Sequence, residues 1–207
     1  MTTLPLPLPL RLPLQLARAG ATLTGARIAL RQLEQGDAAA LFALYADPEV
    51  MRYWNHAPWT DIGQARAAIE EARADYRSGA SLHYAIAQRD TGTDTGTGTL
   101  IGCCALYAFN RQHRSASLGY MLAKAQRGQG YLREALTLLL GHGFDACDLN
   151  RIEAEVSRHN RLSCQALARL GFHAEGCQRE RWIVAGVRHD TVAYGLLRAD
   201  WRHPVPG

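Results

Sequence analysis

Two glycines, Gly128 and Gly130, stand at the entrance to a run of helical character in AQRGQGYLREAL (residues 125–136). That placement limits the fold more than any other feature of the chain. Glycine inside a helix costs about 1 kcal/mol relative to alanine, so a pair here must serve the turn. They open dihedrals that other residues avoid and let a ligand approach the backbone. The first amides of a helix have no intrahelical partner, and the helix dipole is positive there. A strand feeding this turn is either an anion site, with pyrophosphate as its natural guest, or a plain strand-to-helix turn. Gly-x-Gly alone does not choose between them. A P-loop needs Lys and then Ser or Thr after its glycines, which this chain lacks. A Rossmann fingerprint needs a third glycine where Arg133 stands.

The strand before the glycines is SASLGYML (115–122), and the helix after them runs to about Phe144. Apolar-polar alternation and turn punctuation predict further strands at RIALRQL (27–33), LHYAIAQ (82–88), LIGCCALYA (100–108), RIEAEV (151–156), about 174–184 and 191–197. A helix starts after Asp37, and Asp47-Pro48 restarts it. Asp61 with Gln64 forms a capping box before Ile62, Ala65, Ile69, Ala72 and Tyr76 at helical spacing. A last helix spans Arg161 to Leu170 and ends at Gly171. About seven strands and four helices in mixed order read as a single α/β domain of mixed α+β type with one central sheet, over residues 23–200.

The 207 residues carry a formal charge of +4 that is scattered rather than striped, which argues against nucleic-acid binding. Five cysteines, an odd number without metal or CxxC spacing, read as reduced thiols of a cytoplasmic protein. No eighteen-residue apolar run predicts a membrane span. LPLPLPLRLPLQLARAG, from Leu4, is barred from an apolar helix by its prolines. Ala17-Arg18-Ala19 looks like a cleavage site, but no basic residue precedes the apolar part, so residues 1–22 read as an extended or mobile tail. Residues 201–207 read as a second tail. RDTGTDTGTGT (89–99) needs only to be a hairpin loop.

The run Gln126-Arg127-Gly128-Gln129-Gly130-Tyr131-Leu132 resembles the acetyl-CoA loop, Arg/Gln-x-x-Gly-x-Gly/Ala, of the GNAT superfamily of N-acetyltransferases. Four segments in order are similar to its Rim type, the ribosomal-protein N-terminal acetyltransferases: RIALRQLEQGDAAALFALYADPEVMRYW, LIGCCAL, SLGYMLAKAQRGQGYLREAL and NRLSCQALARLGFHAEG. The likeness covers about Leu23 to Leu197. It implies a mostly antiparallel sheet splayed between the fourth and fifth strands. Amides of Gly128, Gln129, Gly130, Tyr131 and Leu132, with Arg127, would hold the pyrophosphate of coenzyme A. Met121 and Leu122 would pair with the pantetheine arm, and Asn160 would meet it from the other side. Leu132 replaces the usual small residue, so its side chain must enter the core.

The same resemblance implies direct attack of a free amine on the thioester in a ternary complex, with no metal. The backbone amide near Leu122 would hold the oxyanion. Leu167 stands where many relatives have an acidic tyrosine, and Ser163 matches the serine that Rim-type members use to protonate the thiolate. Ser117 and Trp182 occupy the positions of two possible family glutamates. Glu180, two residues before Trp182 and so on the same strand face, is the candidate base. A water chain is the alternative, and His83, His113 and His189 have suitable intrinsic pKa values. Tyr53, Trp54 and Trp59 are candidate acceptor contacts. Cys103 and Cys104 look structural. The acceptor is a primary amine: a protein N-terminus, a small-molecule amine or an aminoacyl compound. The competing reading is a non-catalytic acyl-CoA-binding protein. A homodimer is compatible with either.

Overall fold

The computed structural model describes residues 22–89 and 98–202. The expected N-terminal tail, apart from Thr22, lies outside the described residues, as do most of the 89–99 loop and positions 203–207.

Among the described residues, eight strands form one sheet: β1 (Leu23–Thr24), β2 (Ile28–Gln32), β3 (Leu82–Gln88), β4 (Leu100–Asn110), β5 (Ser115–Leu122), β6 (Arg151–Ser157), β7 (His173–Val184) and β8 (Val187–Leu197). The spatial order is β1-β2-β3-β4-β5-β6-β8-β7. Every neighbouring pair is antiparallel except β5 and β6. The two-residue β1 is the strand that alternation could not announce. The α-helices that flank the sheet among the described residues are α1 (Ala38–Ala46), α2 (Pro48–Met51), α3 (Ile62–Ser78), α4 (Tyr131–Gly141) and α5 (Arg161–Arg169).

The helix starts follow from local chemistry. Asp61 Oδ1 accepts from the Gly63 amide at 2.6 Å, and Gln64 Oε1 accepts from the Asp61 amide at 3.1 Å. Asp47 accepts from the Glu49 amide at 2.8 Å, with Pro48 in the first turn. Asp37 precedes α1 but does not cap it with its side chain. Its carboxylate instead takes both Arg31 Nη atoms at 2.7 Å and the Glu34 amide at 2.9 Å. A charge-assisted fork holds a carboxylate more strongly than a lone helix amide does.

Adjacent residues of β5 sort the core into two layers. Leu122 joins Leu136, Leu139, Leu140 and Phe144 on the α4 face, while Met121 joins Leu41, Leu44, Ile69 and Ala65 on the α1–α3 face. Full burial of each large aliphatic is worth roughly 1.5–3 kcal/mol. Leu167, Leu170 and Phe172 place α5 on the α4 side. Trp201 packs against Phe144 with ring centroids 5.9 Å apart, so the core reaches one residue past the boundary expected at 200.

The parallel pairing of β5 and β6 is short. Only Ser115–Ser117 register with Arg151–Glu153. Beyond them the strands part, leaving a wedge between Leu118–Leu122 and Ala154–Ser157. This is the splay expected between SASLGYML and RIEAEV.

Candidate active site

The wedge is a cavity of about 90 Å³, walled by Leu118, Gly119 and Tyr120 on one strand and Ala154, Glu155 and Val156 on the other. Its inner lip is backbone. Ala123 N donates to Ile101 O at 2.9 Å across the β4–β5 ladder. Bonding in an antiparallel pair alternates residue by residue, so Leu122 turns its amide and carbonyl away from β4, to the side that β6 has left. Arg127 Nε comes within 3.4 Å of the Leu122 carbonyl.

The β5 strand leads on to the glycines. Gly128 and Gly130 take φ of +77° and +84°, the left-handed region that a side chain disfavours. Gly130 is the N-cap of α4 and supplies no side-chain cap, and the first intrahelical bond runs from Glu134 N to Gly130 O at 3.1 Å. The amides of Tyr131, Leu132 and Arg133 therefore precede the helical ladder, as an anion site requires. Leu132 is half-buried and packs against the α4-side core, so its bulk leaves the loop face clear. The Gln129 side chain donates to Ala125 O at 2.8 Å, and the Tyr131 hydroxyl accepts from Gln88 at 3.1 Å.

Helix α5 closes the wedge from the opposite flank. Asn160 caps it by accepting the Ser163 amide at 3.2 Å, and both residues line the cavity. Ser163 Oγ lies 2.6 Å from the Tyr120 hydroxyl. Burial pushes the Tyr120 phenol up to about 12, against the lesser opposing pull of its bond to Ser163. It thus stays protonated at neutral pH. Tyr120 carries no motif of its own; the sequence signal was only an aromatic in the splayed half of β5.

A second cavity of about 280 Å³ adjoins the first, and Tyr53, Trp54 and Trp182 line both. Met51, Val184 and His189 complete much of its wall. Trp59 lies elsewhere: it stacks on Tyr45 at 4.0 Å, with the rings 12° from parallel, against the α1–α3 core.

Glu180 does not share the setting of Trp182. The β7–β8 register slips between Gln178 and Trp182, and Glu180 takes φ of +52° in that bulge. A bulge breaks the period of two on which the same-face expectation rested. The carboxylate is exposed and pairs with Arg188 at 3.0 Å, and it lines neither cavity. His189 lies directly across from Trp182 and does line the larger one. His83 is on β3, and His113 is exposed in the β4–β5 turn. Burial pushes the Cys103 thiol up to about 12 and holds the Cys104 thiol well above its ordinary value, so neither is an available thiolate nucleophile. Among the described residues, no cluster of His, Cys, Asp or Glu could hold a metal ion.

The GNAT acetyltransferase domain model matches residues 27–173, which include the glycine loop, the wedge and α5. The chain belongs to the GNAT acetyltransferase family. It is 32% identical over 180 residues to the uncharacterized N-acetyltransferase p20 of Bacillus licheniformis, covering 87% of this chain and 98% of that one. It is 31% identical over 172 residues to the uncharacterized N-acetyltransferase YoaA of Bacillus subtilis, covering 83% and 94%. Relatives of this acetyltransferase include the ribosomal protein uS5-alanine N-acetyltransferase of Escherichia coli, 34% identical over 84 residues, 41% of this chain and 43% of that enzyme. The fold of RimJ from Mycobacterium smegmatis, solved with CoA-disulfide, superposes with a TM-score of 0.77 at 24% identity, covering 87% and 89%. This GNAT chain is accordingly an acetyl-transferring enzyme.

Proposed function

We propose that this acetyltransferase moves the acetyl group of acetyl-CoA to a primary amine by direct attack, with the α-amine of a protein N-terminus among its acceptors. One observation carries the reading: a continuous track from the glycine-capped N-terminus of α4, along the backbone edge at Leu122 that β6 leaves unpaired, into the wedge that holds Ser163 and Tyr120. The amides of Gly128 to Leu132 and the Arg127 guanidinium suit the pyrophosphate, and the Leu122 edge suits the amide groups of the pantetheine arm. Asn160 borders the same wedge.

The amine must lose its proton before it attacks the thioester carbon. The larger cavity offers His189 for that proton; the exposed, paired carboxylate of Glu180 does not reach it. The carbonyl oxygen gains negative charge as the C–N bond forms, and the Leu122 amide faces that charge. When the C–S bond breaks, the nitrogen gives up its second proton to water, and the thiolate takes a proton from Ser163. Tyr120 resupplies Ser163 through the 2.6 Å hydrogen bond and itself recovers a proton from water. No side chain is acylated.

Thiol release from acetyl-CoA tests the reading, with Ala-, Ser- and Thr-initiated peptides and small amines as acceptors. His189→Ala is expected to slow turnover about 10²-fold or more near neutral pH, in the range of general-base contributions, while Glu180→Gln stays within a few-fold. Acetyl-CoA binding without thiol release on any acceptor would instead favour an acyl-CoA-binding protein.

A further inference from the structure

The larger cavity also speaks to the acceptor. Its wall is aromatic and apolar, with Tyr53, Trp54, Trp182, Met51 and Val184, and it contains no carboxylate. The basic groups on it are Arg52, His56 and His189. Arg52 already lies over the Tyr53 ring, 5.3 Å from its centroid. That ring face is therefore taken by a cation of the protein itself.

Carboxylates close to the cavity are committed elsewhere. Glu155, in the adjoining wedge, accepts Thr191 Oγ1 at 2.8 Å and Arg181 Nε at 3.0 Å. Asp190, beside His189, pairs with Arg158 at 3.0 Å and accepts the Glu180 amide at 2.9 Å. Glu49, beside Pro48, pairs with Lys124. A second ammonium group on the acceptor would find no carboxylate on this wall to pair with. A flat apolar group would exchange water for the ring faces of Trp54 and Trp182.

Building on the acetyl-transfer reading, we infer that the preferred acceptor, among those the reading admits, carries a single amine beside a flat apolar group and is not a polyamine. That group occupies the space between Trp54 and Trp182, and the nitrogen points into the wedge towards Leu122 and Ser163.

The test compares kcat/KM for tryptamine and spermidine on the whole protein at saturating acetyl-CoA. Tryptamine is expected to lead by at least about tenfold, the factor that 1.4 kcal/mol of binding difference gives. Trp182→Ala should lower the tryptamine value about tenfold and shrink the preference. Trp182→Phe should keep most of it, and calorimetric acetyl-CoA affinity reports that both variants are folded. Spermidine equal to or better than tryptamine overturns the inference while leaving acetyl transfer in place. So does an equal loss on both amines in Trp182→Ala. Thiol release with neither amine nor any peptide overturns the acetyl-transfer reading, and the inference with it.

Discussion

Arg27 holds Glu134 twice, through its backbone amide to Oε1 at 2.7 Å and through Nε to Oε2 at 3.0 Å. Its Nη1 reaches the Gln129 carbonyl at 2.8 Å, and its guanidinium lies 4.9 Å from the centroid of the Tyr131 ring. The entry to β2 thus grips the glycine loop at three points. Removing the carboxylate frees Arg27 and loosens the loop without touching the wedge. Glu134→Ala is expected to raise KM for acetyl-CoA by roughly three- to tenfold, or about 0.7–1.4 kcal/mol, with kcat nearly constant. A fall in kcat at constant KM would contradict a loop-positioning role.

The two glycines should not be equivalent. A side chain at either is strained by about 1–2 kcal/mol, because both have positive φ. At Gly128 a Cβ would meet nothing within 4 Å, whereas at Gly130 it would stand 3.0 Å from Arg27 Nη2. Gly130→Ala should therefore weaken acetyl-CoA binding several-fold more than Gly128→Ala, as titration calorimetry of the two variants can show. Equal losses would mean that the Arg27 contact contributes nothing to the loop.

Ser163 and Tyr120 should behave as one unit. Ser163→Ala is expected to lower kcat about 10²-fold and Tyr120→Phe about tenfold, within the usual range for proton transfer. The double variant should resemble Ser163→Ala rather than the product of the two losses. Burial holds the phenol up to about 12, above its ordinary value. The sign follows: the folded state favours the neutral form, so this contribution to stability is whole below the ordinary value of about 10 and is lost as pH rises through about 12. The Tyr120→Phe defect in kcat should then be constant from about pH 6 to 9. A defect that vanishes within that window would place the titrating group elsewhere.

The thiols make a separate check on packing. All five cysteines are free; Cys177 is exposed on β7, while Cys104 and Cys147 are buried. Burial pushes the thiols of Cys103 and Cys147 up to about 12, and a thiol reacts through its thiolate. An aromatic disulfide reagent should modify one thiol fast in the native protein, and Cys177→Ser should abolish that phase. Cys103, Cys104 and Cys147 should react only on unfolding. Prompt reaction of three or more thiols would show that the sheet is not packed as described.

Much of this architecture was legible in short stretches of chain. The caps at Asp47 and Asp61 depend on atoms within four residues, and the left-handed turn at Gly128 and Gly130 depends on glycine's missing Cβ. Strand alternation works wherever one sheet face differs from the other in burial, as at Met121 and Leu122. These signals are local because the forces behind them are local. The two-residue β1 escaped because it is too short to show a period.

What the sequence by itself determined was the order of elements, the helix entrances and the glycine loop, since backbone sterics and neighbouring hydrogen bonds decide them. Only the tertiary structure decided the chemistry around the wedge. It set Tyr120 against Ser163 across 43 residues of chain, and stacked Trp59 on Tyr45 while leaving Trp54 at the cavity. It also turned Glu180 out through a bulge and put His189 opposite Trp182. Each of these outcomes depends on register and on which strands stay paired, and those are settled by the packing of the whole sheet rather than by any segment of it.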